Sequence, residues 1–275
     1  MSDTFFTASP EWTWWIIFYF FIGGIAGTAF LLSSLLHLSI PDARPTAGPA
    51  DRQLIHLGYY VAFIGALLSG FLLTVDLNRP LRFWHMLLQN HTGEPMFKPW
   101  VPMSVGSWAL LLFGLFAFLA ALASLSEERP DRRLLQSAPI RFLRRRGPSV
   151  VIAVLGSIFG LFLAGYTGVL LAVTNRPIWA DSSLLGLLFL VSATSTGAAT
   201  MLLLATWRRA GHPASIRWLS WLDQRVLLLE LLVLIIFLIS LGSLARVFLG
   251  WWGLVLLVGV VGLGILVPLL LQRTH

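Results

Sequence analysis

The stretch LIHLGYYVAFIGALLSGFLLTV (Leu54–Val75), followed at once by DLNRP (Asp76–Pro80), decides how this chain is read. At 1.5 Å per residue such a run forms a helix of about 33 Å, enough to cross a hydrocarbon core of about 30 Å. It is far too long for a strand, which excludes a barrel. Lipid offers the backbone no hydrogen-bond partners, so the span must be helical. Asp76 and Arg79 then stand where the apolar run meets water. A charge costs less there than at mid-bilayer, yet it still meets any small molecule entering from the lipid. An ionisable group at a span end is therefore a site candidate. Capping or anchoring the helix is the plainer alternative.

The rest of the chain extends the same pattern. Its 275 residues are 57% hydrophobic and 11% charged, with mean hydropathy +0.83. These values belong to an all-α, polytopic membrane protein. The longest polar stretch is only a loop, so no separate soluble domain is expected. Met1–Pro10 lacks the basic start and cleavage site of a signal peptide. Cysteine is absent, which removes disulfides, thiolate metal sites and iron–sulfur ligands. The net charge of +7 is mostly arginine in short loops. It reads as a topology signal rather than a nucleic-acid surface.

Seven spans are predicted: Trp12–Ile40, Leu54–Val75, Ser104–Leu125, Ser149–Val173, Ser183–Trp207, Val226–Val247 and Trp252–Leu271. Arg129, Arg132, Arg133, Arg141, Arg144, Arg145 and Arg146 lie between spans 3 and 4. With Arg44, Arg52, Arg208, Arg209, Arg217, Arg225 and Arg273 they put fourteen of the 19 Lys and Arg on one face. Arg79, Arg82, Lys98, Arg176 and Arg246 fall on the other. The arginine-rich face is expected to be cytoplasmic, with the N-terminus outside, the C-terminus inside and Asp76 on the outer side. Trp12, Trp14, Trp15, Trp100, Trp179, Trp251 and Trp252 fit an aromatic belt near that outer boundary. The outer stretch Leu81–Leu88 suits either an interfacial segment or an ordinary loop. Gly23 with Gly27, Gly156 with Gly160 and Gly165 with Gly168 suit close helix packing, or a groove for a flat ring.

Polar groups within the spans supply the remaining candidates. Tyr166 lies in the outer half of span 4, on the side where span 2 ends with Asp76. A carboxylate and a phenol beside small residues suit a quinol hydroxyl or a quinone carbonyl, with the carboxylate as general base. The alternative for Tyr166 is a hydrogen bond to a backbone carbonyl. Glu230 is the one carboxylate deep in an apolar run, about one turn inside span 6 and after Asp223 and Arg225. Three readings stand for it: a proton relay, a partner of Arg225, or a neutral acid in a structural network with the hydroxyls of span 5. His37 and His56 lie near the ends of spans 1 and 2. They offer a pair of haem ligands only in principle, and solvated helix-end histidines are the default. No nucleotide-binding loop, zinc motif or nucleophile elbow is present.

Taken in order, several motifs resemble the membrane-anchor subunits of the NrfD-like, or polysulfide reductase, family. They are Tyr19-Phe20-Phe21-Ile22-Gly23-Gly24-Ile25-Ala26-Gly27, Asp76-Leu77-Asn78-Arg79-Pro80, and Pro102-Met103-Ser104-Val105-Gly106-Ser107-Trp108. Gly165-Tyr166-Thr167-Gly168, Arg176-Pro177-Ile178-Trp179 and Glu230 continue the match over most of the chain. The resemblance implies one integral membrane domain over 1–275, with a four-helix quinone-binding bundle at 12–173 and three further spans at 183–271. It implies menaquinone or ubiquinone bound as substrate, with no haem and no iron–sulfur cluster in this chain. A ferredoxin-like iron–sulfur subunit would dock on it, and that subunit would exchange electrons with a molybdopterin catalytic subunit. The location implied is the inner membrane of a prokaryote. Carried over by motif, Asp76, Arg79 and Tyr166 are the pocket residues, with Tyr19 added on its matching neighbourhood alone, and Glu230, with Asp223 before it in the chain, is the proton-path candidate. The family pattern also leads one to expect an eighth span beyond Pro268, a place that another membrane subunit would fill.

The rival class is a small-solute transporter or proton channel stepping through Asp76 and Glu230, and a purely structural anchor is the third. Transporters often show two similar halves, and no convincing internal repeat is present.

Overall fold

Helix α1 (Trp14–Ser39) is the axis around which the chain is organised, because it presents small residues on several sides. The computed structural model describes residues 12–39, 48–174 and 176–273. The expectations on Met1–Pro10, Ile40, Arg44 and His275, and on the side chain of Arg273, fall outside the described residues. After α1 come α2 (Pro49–Asp76), α3 (Pro102–Glu128), the short α4 (Ala138–Leu143), α5 (Arg146–Ala172), α6 (Leu185–Arg208) and α7 (Pro213–Ser240). The chain closes with α8 (Trp251–Val255), a π-helical stretch Leu256–Leu266 and α9 (Val267–Arg273). Among the described residues the only β pairing is an isolated bridge between Leu88 and Pro95. The chain is all-α. Among the described residues six helices are long and apolar enough to cross a membrane, or seven if α7 and the segment Gly242–Leu249, bent from it by 111°, count as one span.

Local chemistry sets the helix ends. Pro49, Pro102 and Pro213 open α2, α3 and α7. There the missing N–H is no loss and the fixed φ suits the first turn. The His212 ring accepts a hydrogen bond from the Ala214 N–H at 3.2 Å and caps α7. Arg209 (φ 51°) and Gly211 (φ 91°) turn the chain from α6 into α7 in the left-handed region. That turn is fastened to the start of α2: Gly211 N–H donates to the Ala50 carbonyl at 2.8 Å. His212 N–H donates to the buried Asp51 carboxylate at 2.7 Å.

Glycine contacts decide which helices meet. A methyl group on Gly27 would collide with the Gly160 carbonyl oxygen, and one on Gly160 would stand 2.7 Å from the Gly27 oxygen. Helices α1 and α5 therefore cross backbone to backbone, as small residues allow. A methyl group on Gly24 would stand 3.0 Å from the Ala193 Cβ of α6, and one on Gly65 of α2 would stand 2.6 Å from the Ala26 Cβ of α1, so these pairs also need glycine to approach. Gly168 packs α5 onto Leu185 and Gly186 at the start of α6. The packing reading of the glycine pairs is the one realised. Phe30, Phe113 and Tyr59 fill the centre, with ring centroids 5.1 Å (Phe30–Tyr59) and 5.8 Å (Phe30–Phe113) apart.

One span differs from its expectation. Val226–Val247 becomes Pro213–Ser240, followed after Leu241 by a 111° bend into Gly242–Leu249. Hydropathy starts the span after Arg225. The helix needs no apolar side chains to continue, and Arg225 lies over the Trp221 ring at 5.4 Å. At the other end Gly242 takes φ 53° and turns the chain aside. Glu230 consequently sits 17 residues into α7, about 25 Å from its start. It is near mid-helix rather than one turn inside an end.

Candidate functional site

A cleft of about 720 Å³ opens among α1, α2, α3 and α5, at the end where α2 finishes with Asp76. Trp12, Ile16 and Tyr19 line it from the α1 side, Met103, Gly106 and Ser107 from α3, and Tyr166 and Leu170 from α5. Asp76 and Leu77 line it at the end of α2. From there Thr74, Leu73, Gly70, Leu67, Ala66 and Phe63 on α2 face Leu110, Leu111, Gly114, Leu115 and Phe118 on α3. Phe63 is 13 residues before Asp76, so this apolar groove runs about 20 Å along the helices. Leu67, Leu111, Leu115 and Phe118 are also exposed on the outer, apolar surface of the bundle. The groove is thus reachable from the side.

Three candidates meet in this cleft. Tyr19 is 2% exposed, and its hydroxyl makes no hydrogen bond among the described residues. Tyr166 donates to the Pro102 carbonyl at 2.8 Å, the alternative that its sequence left open. Its ring stacks on Phe162 at 5.6 Å and fills the space that a side chain at position 106 would take. Asp76 is half-buried, and its Oδ1 accepts from the Thr13 hydroxyl. A carboxylate as the last residue of a helix faces the negative end of the helix dipole, an unfavourable position by roughly 0.3–1 kcal/mol. Among the described residues no Lys, Arg or His pairs with Asp76 within 4 Å, Arg79 included. Arg79 is exposed and lies outside the lining.

The stretch Leu81–Leu88, an interfacial segment or a loop by its sequence, supplies the roof of the cleft. Pro80 starts a 3₁₀ segment, Pro80–Met86, whose Phe83 and Met86, with Leu87, close over the cleft. The Met96 carbonyl accepts from Ser104 Oγ and from the Trp108 indole N–H, both at 3.1 Å, which ties this loop to α3. The alternation of aromatic and aliphatic residues in Leu81–Leu88 was the available signal. Thr13 had none, because one threonine outside a helix has no partner until the fold supplies Asp76.

The other candidates lie elsewhere. Asp223 is 2% exposed and accepts from Ser195 Oγ at 2.7 Å and Gln272 Nε2 at 2.6 Å. Glu230, on the same face of α7 two turns on, lies beside Ser192 of α6. Together they form a polar seam between α6, α7 and α9 that does not line the cleft. His37 Nε2 meets Ser149 Oγ at 2.7 Å. His56 stands between Glu128 (Nδ1, 3.0 Å) and Glu127 (Nε2, 3.3 Å). The two histidines bond different partners. Among the described residues no three His, Asp or Glu are grouped to hold a metal ion.

Comparison with known proteins shows which family the chain belongs to. The chain is 27% identical to Protein NrfD of Escherichia coli over 98% of its own length and 87% of that protein. It is 28% identical to a polysulfide reductase chain of Wolinella succinogenes, covering 95% of this chain and 82% of the other. A selenate reductase subunit of Mesobacillus selenatarsenatis is 24% identical over 74% of this chain and 50% of its own. The family described as Polysulphide reductase, NrfD matches residues 4–275. On that match, and with its bundle of membrane-length helices, the chain is a multi-pass membrane protein and belongs to the polysulphide reductase NrfD family.

Proposed function

We propose that this chain is the quinone-reactive membrane-anchor subunit of a respiratory oxidoreductase in a prokaryotic inner membrane. It exchanges electrons between the quinone pool and a docked iron–sulfur subunit, which serves a molybdopterin catalytic subunit. One observation carries the reading: a single cleft with Tyr19, Asp76 and Tyr166 at its polar end and an apolar groove of about 20 Å leading away. That shape suits a ring with two opposed oxygens and a long isoprenoid tail, menaquinone or ubiquinone. Pockets of this kind are mostly apolar, with a few placed polar groups fixing orientation. The bound quinone supplies two-electron, two-proton redox chemistry. Asp76 is placed to take a proton at its carboxylate, Tyr19 to hydrogen-bond an oxygen, and Tyr166 to hold the ring's edge beside Gly106. Exposed Arg79 faces the docked partner. With 0 cysteines in the chain, iron–sulfur ligation falls to that partner.

Gly114 lines the groove, and the nearest atom to a methyl group added there is Ala66 Cβ at 4.0 Å. Gly114→Phe should therefore fill the groove without breaking the helix pair. Displacing even a few tail carbons costs on the order of 1–2 kcal/mol, about tenfold. In the assembled complex the variant is expected to lose about that much kcat/KM with long-tailed quinol and little with a tail-less analogue. Equal losses with both would point to damaged packing, and no loss with either would remove the tail from this groove.

The seam of Asp223 and Glu230 supports a proton path on the arginine-rich side, separate from the cleft. Glu230→Gln should slow turnover and proton uptake while assembly and quinone affinity stay near wild type. Unchanged turnover would leave Glu230 as a structural acid. The arginine asymmetry supports an outside N-terminus and an inside C-terminus. A reporter active only in the cytoplasm should be silent at the N-terminus, and activity there would reverse the orientation.

A further inference from the structure

The connection between α3 and α5 carries arginines that neither the cleft nor the polar seam uses. Arg132 pairs with Asp131 (3.9 Å) and Arg144 with Glu127 (3.4 Å). Arg133, Arg141, Arg145 and Arg146 are exposed and have no carboxylate within 4 Å among the described residues. The segment is nevertheless built in place. Ser126 Oγ donates to the Leu135 carbonyl at 2.8 Å, and Gln136 Nε2 donates to the Ser126 carbonyl at 2.9 Å. Leu143 of α4 packs against the main core. Leu134 is 88% exposed and Phe142 52% exposed, with the Arg145 guanidinium over the Phe142 ring at 5.7 Å.

A topology signal needs positive charge alone. It does not require a fixed shelf, guanidinium groups left without carboxylates, or two large apolar side chains turned outward among them. The shelf joins the ends of two membrane-length helices, and the ends of such helices lie where headgroups meet acyl chains. Only a lipid bearing negative charge offers phosphate and hydrocarbon together at that depth. An acidic protein surface would satisfy the arginines and leave Leu134 and Phe142 unexplained. We propose that the α3–α5 connection is a binding shelf for anionic phospholipid. Arg133, Arg141, Arg145 and Arg146 hold the phosphates, and Leu134 and Phe142 dip into the chains. Basic residues near an anionic membrane surface are each worth about fivefold in affinity, and apolar side chains on such a segment add burial. This inference is independent of the quinone reading.

The test uses the full chain purified in neutral detergent, with dioctanoyl phosphatidylglycerol, dioctanoyl phosphatidylcholine and inorganic phosphate as probes. The readouts are the thermal unfolding midpoint and lipid retained in native mass spectrometry. Phosphatidylglycerol is expected to raise the midpoint and be retained, with neither effect from the other two probes. The response should weaken as salt is raised, as phosphate contacts require. Two paired variants, Arg133→Gln with Arg141→Gln and Arg145→Gln with Arg146→Gln, leave other arginines to hold orientation. Each pair should lower apparent lipid affinity by roughly 25-fold. Leu134→Ser with Phe142→Ser should lower it while keeping the charge preference. Equal effects of the two lipids, an equal effect of inorganic phosphate, or a salt-insensitive response would overturn the proposal. So would paired variants that bind lipid normally but lose a co-purifying subunit, which would assign the shelf to a protein partner.

Discussion

Asp76→Asn in the assembled complex is expected to reduce quinol-dependent electron transfer by about tenfold or more, with the protein still folded and inserted. The substitution keeps the shape and a carbonyl oxygen for Thr13, but it removes the one carboxylate among the described residues that lines the cleft. A lost hydrogen bond to a buried polar group typically costs about 1–3 kcal/mol, and about 1.4 kcal/mol is tenfold. Loss of the proton acceptor adds to this. The helix dipole argues the same way. A carboxylate at a helix C-terminus is held against its local electrostatics, so the asparagine should be as stable as wild type or more so. Reduced turnover with undiminished thermal stability is thus the signature of a functional carboxylate. Tyr19→Phe should rival or exceed Tyr166→Phe, since the Tyr19 hydroxyl is uncommitted and that of Tyr166 already serves Pro102. Normal turnover in Asp76→Asn and Tyr19→Phe would remove the quinone headgroup from this cleft.

The second large effect is structural. Gly27→Leu should destabilise the protein by at least about 3 kcal/mol and leave little folded chain in detergent. A side chain there meets the backbone of Gly160, not a flexible side chain that could move aside. Overpacking a tight interface costs typically about 1–3 kcal/mol and more where nothing can yield. Helix α1 also touches α2, α5 and α6, so displacing it disturbs the cleft and the central cluster together. Gly259→Ala is the control. Nothing lies within 4 Å of its added carbon, and the change should stay within about 1 kcal/mol, the scale of helix propensity. Similar unfolding midpoints for Gly27→Leu and wild type would show that α1 and α5 do not cross at Gly27 and Gly160.

Much of the architecture was legible in the chain. Apolar runs of membrane length report transfer free energies that each side chain carries alone, so the spans are marked wherever such residues accumulate. The position of Asp76 at the end of an apolar run and the close-packing spacing of Gly23–Gly27 and Gly156–Gly160 could be read in the same way. Where the same measure failed, it failed for that reason. Hydropathy follows solvation and not helix continuity, so it cut α7 at Arg225 and put Glu230 near an end instead of mid-helix. A glycine pair announces that some helix comes close without saying which. Only packing joined Gly27 to Gly160, seated Tyr166 over Gly106 and opened the groove between Gly70 and Gly114. The sequence therefore determined which segments enter lipid and which polar groups go with them. The tertiary structure alone decided that Tyr19, Asp76 and Tyr166 share a cleft while Arg79 stays outside, because a side chain's neighbours depend on how helices cross, which no single segment encodes.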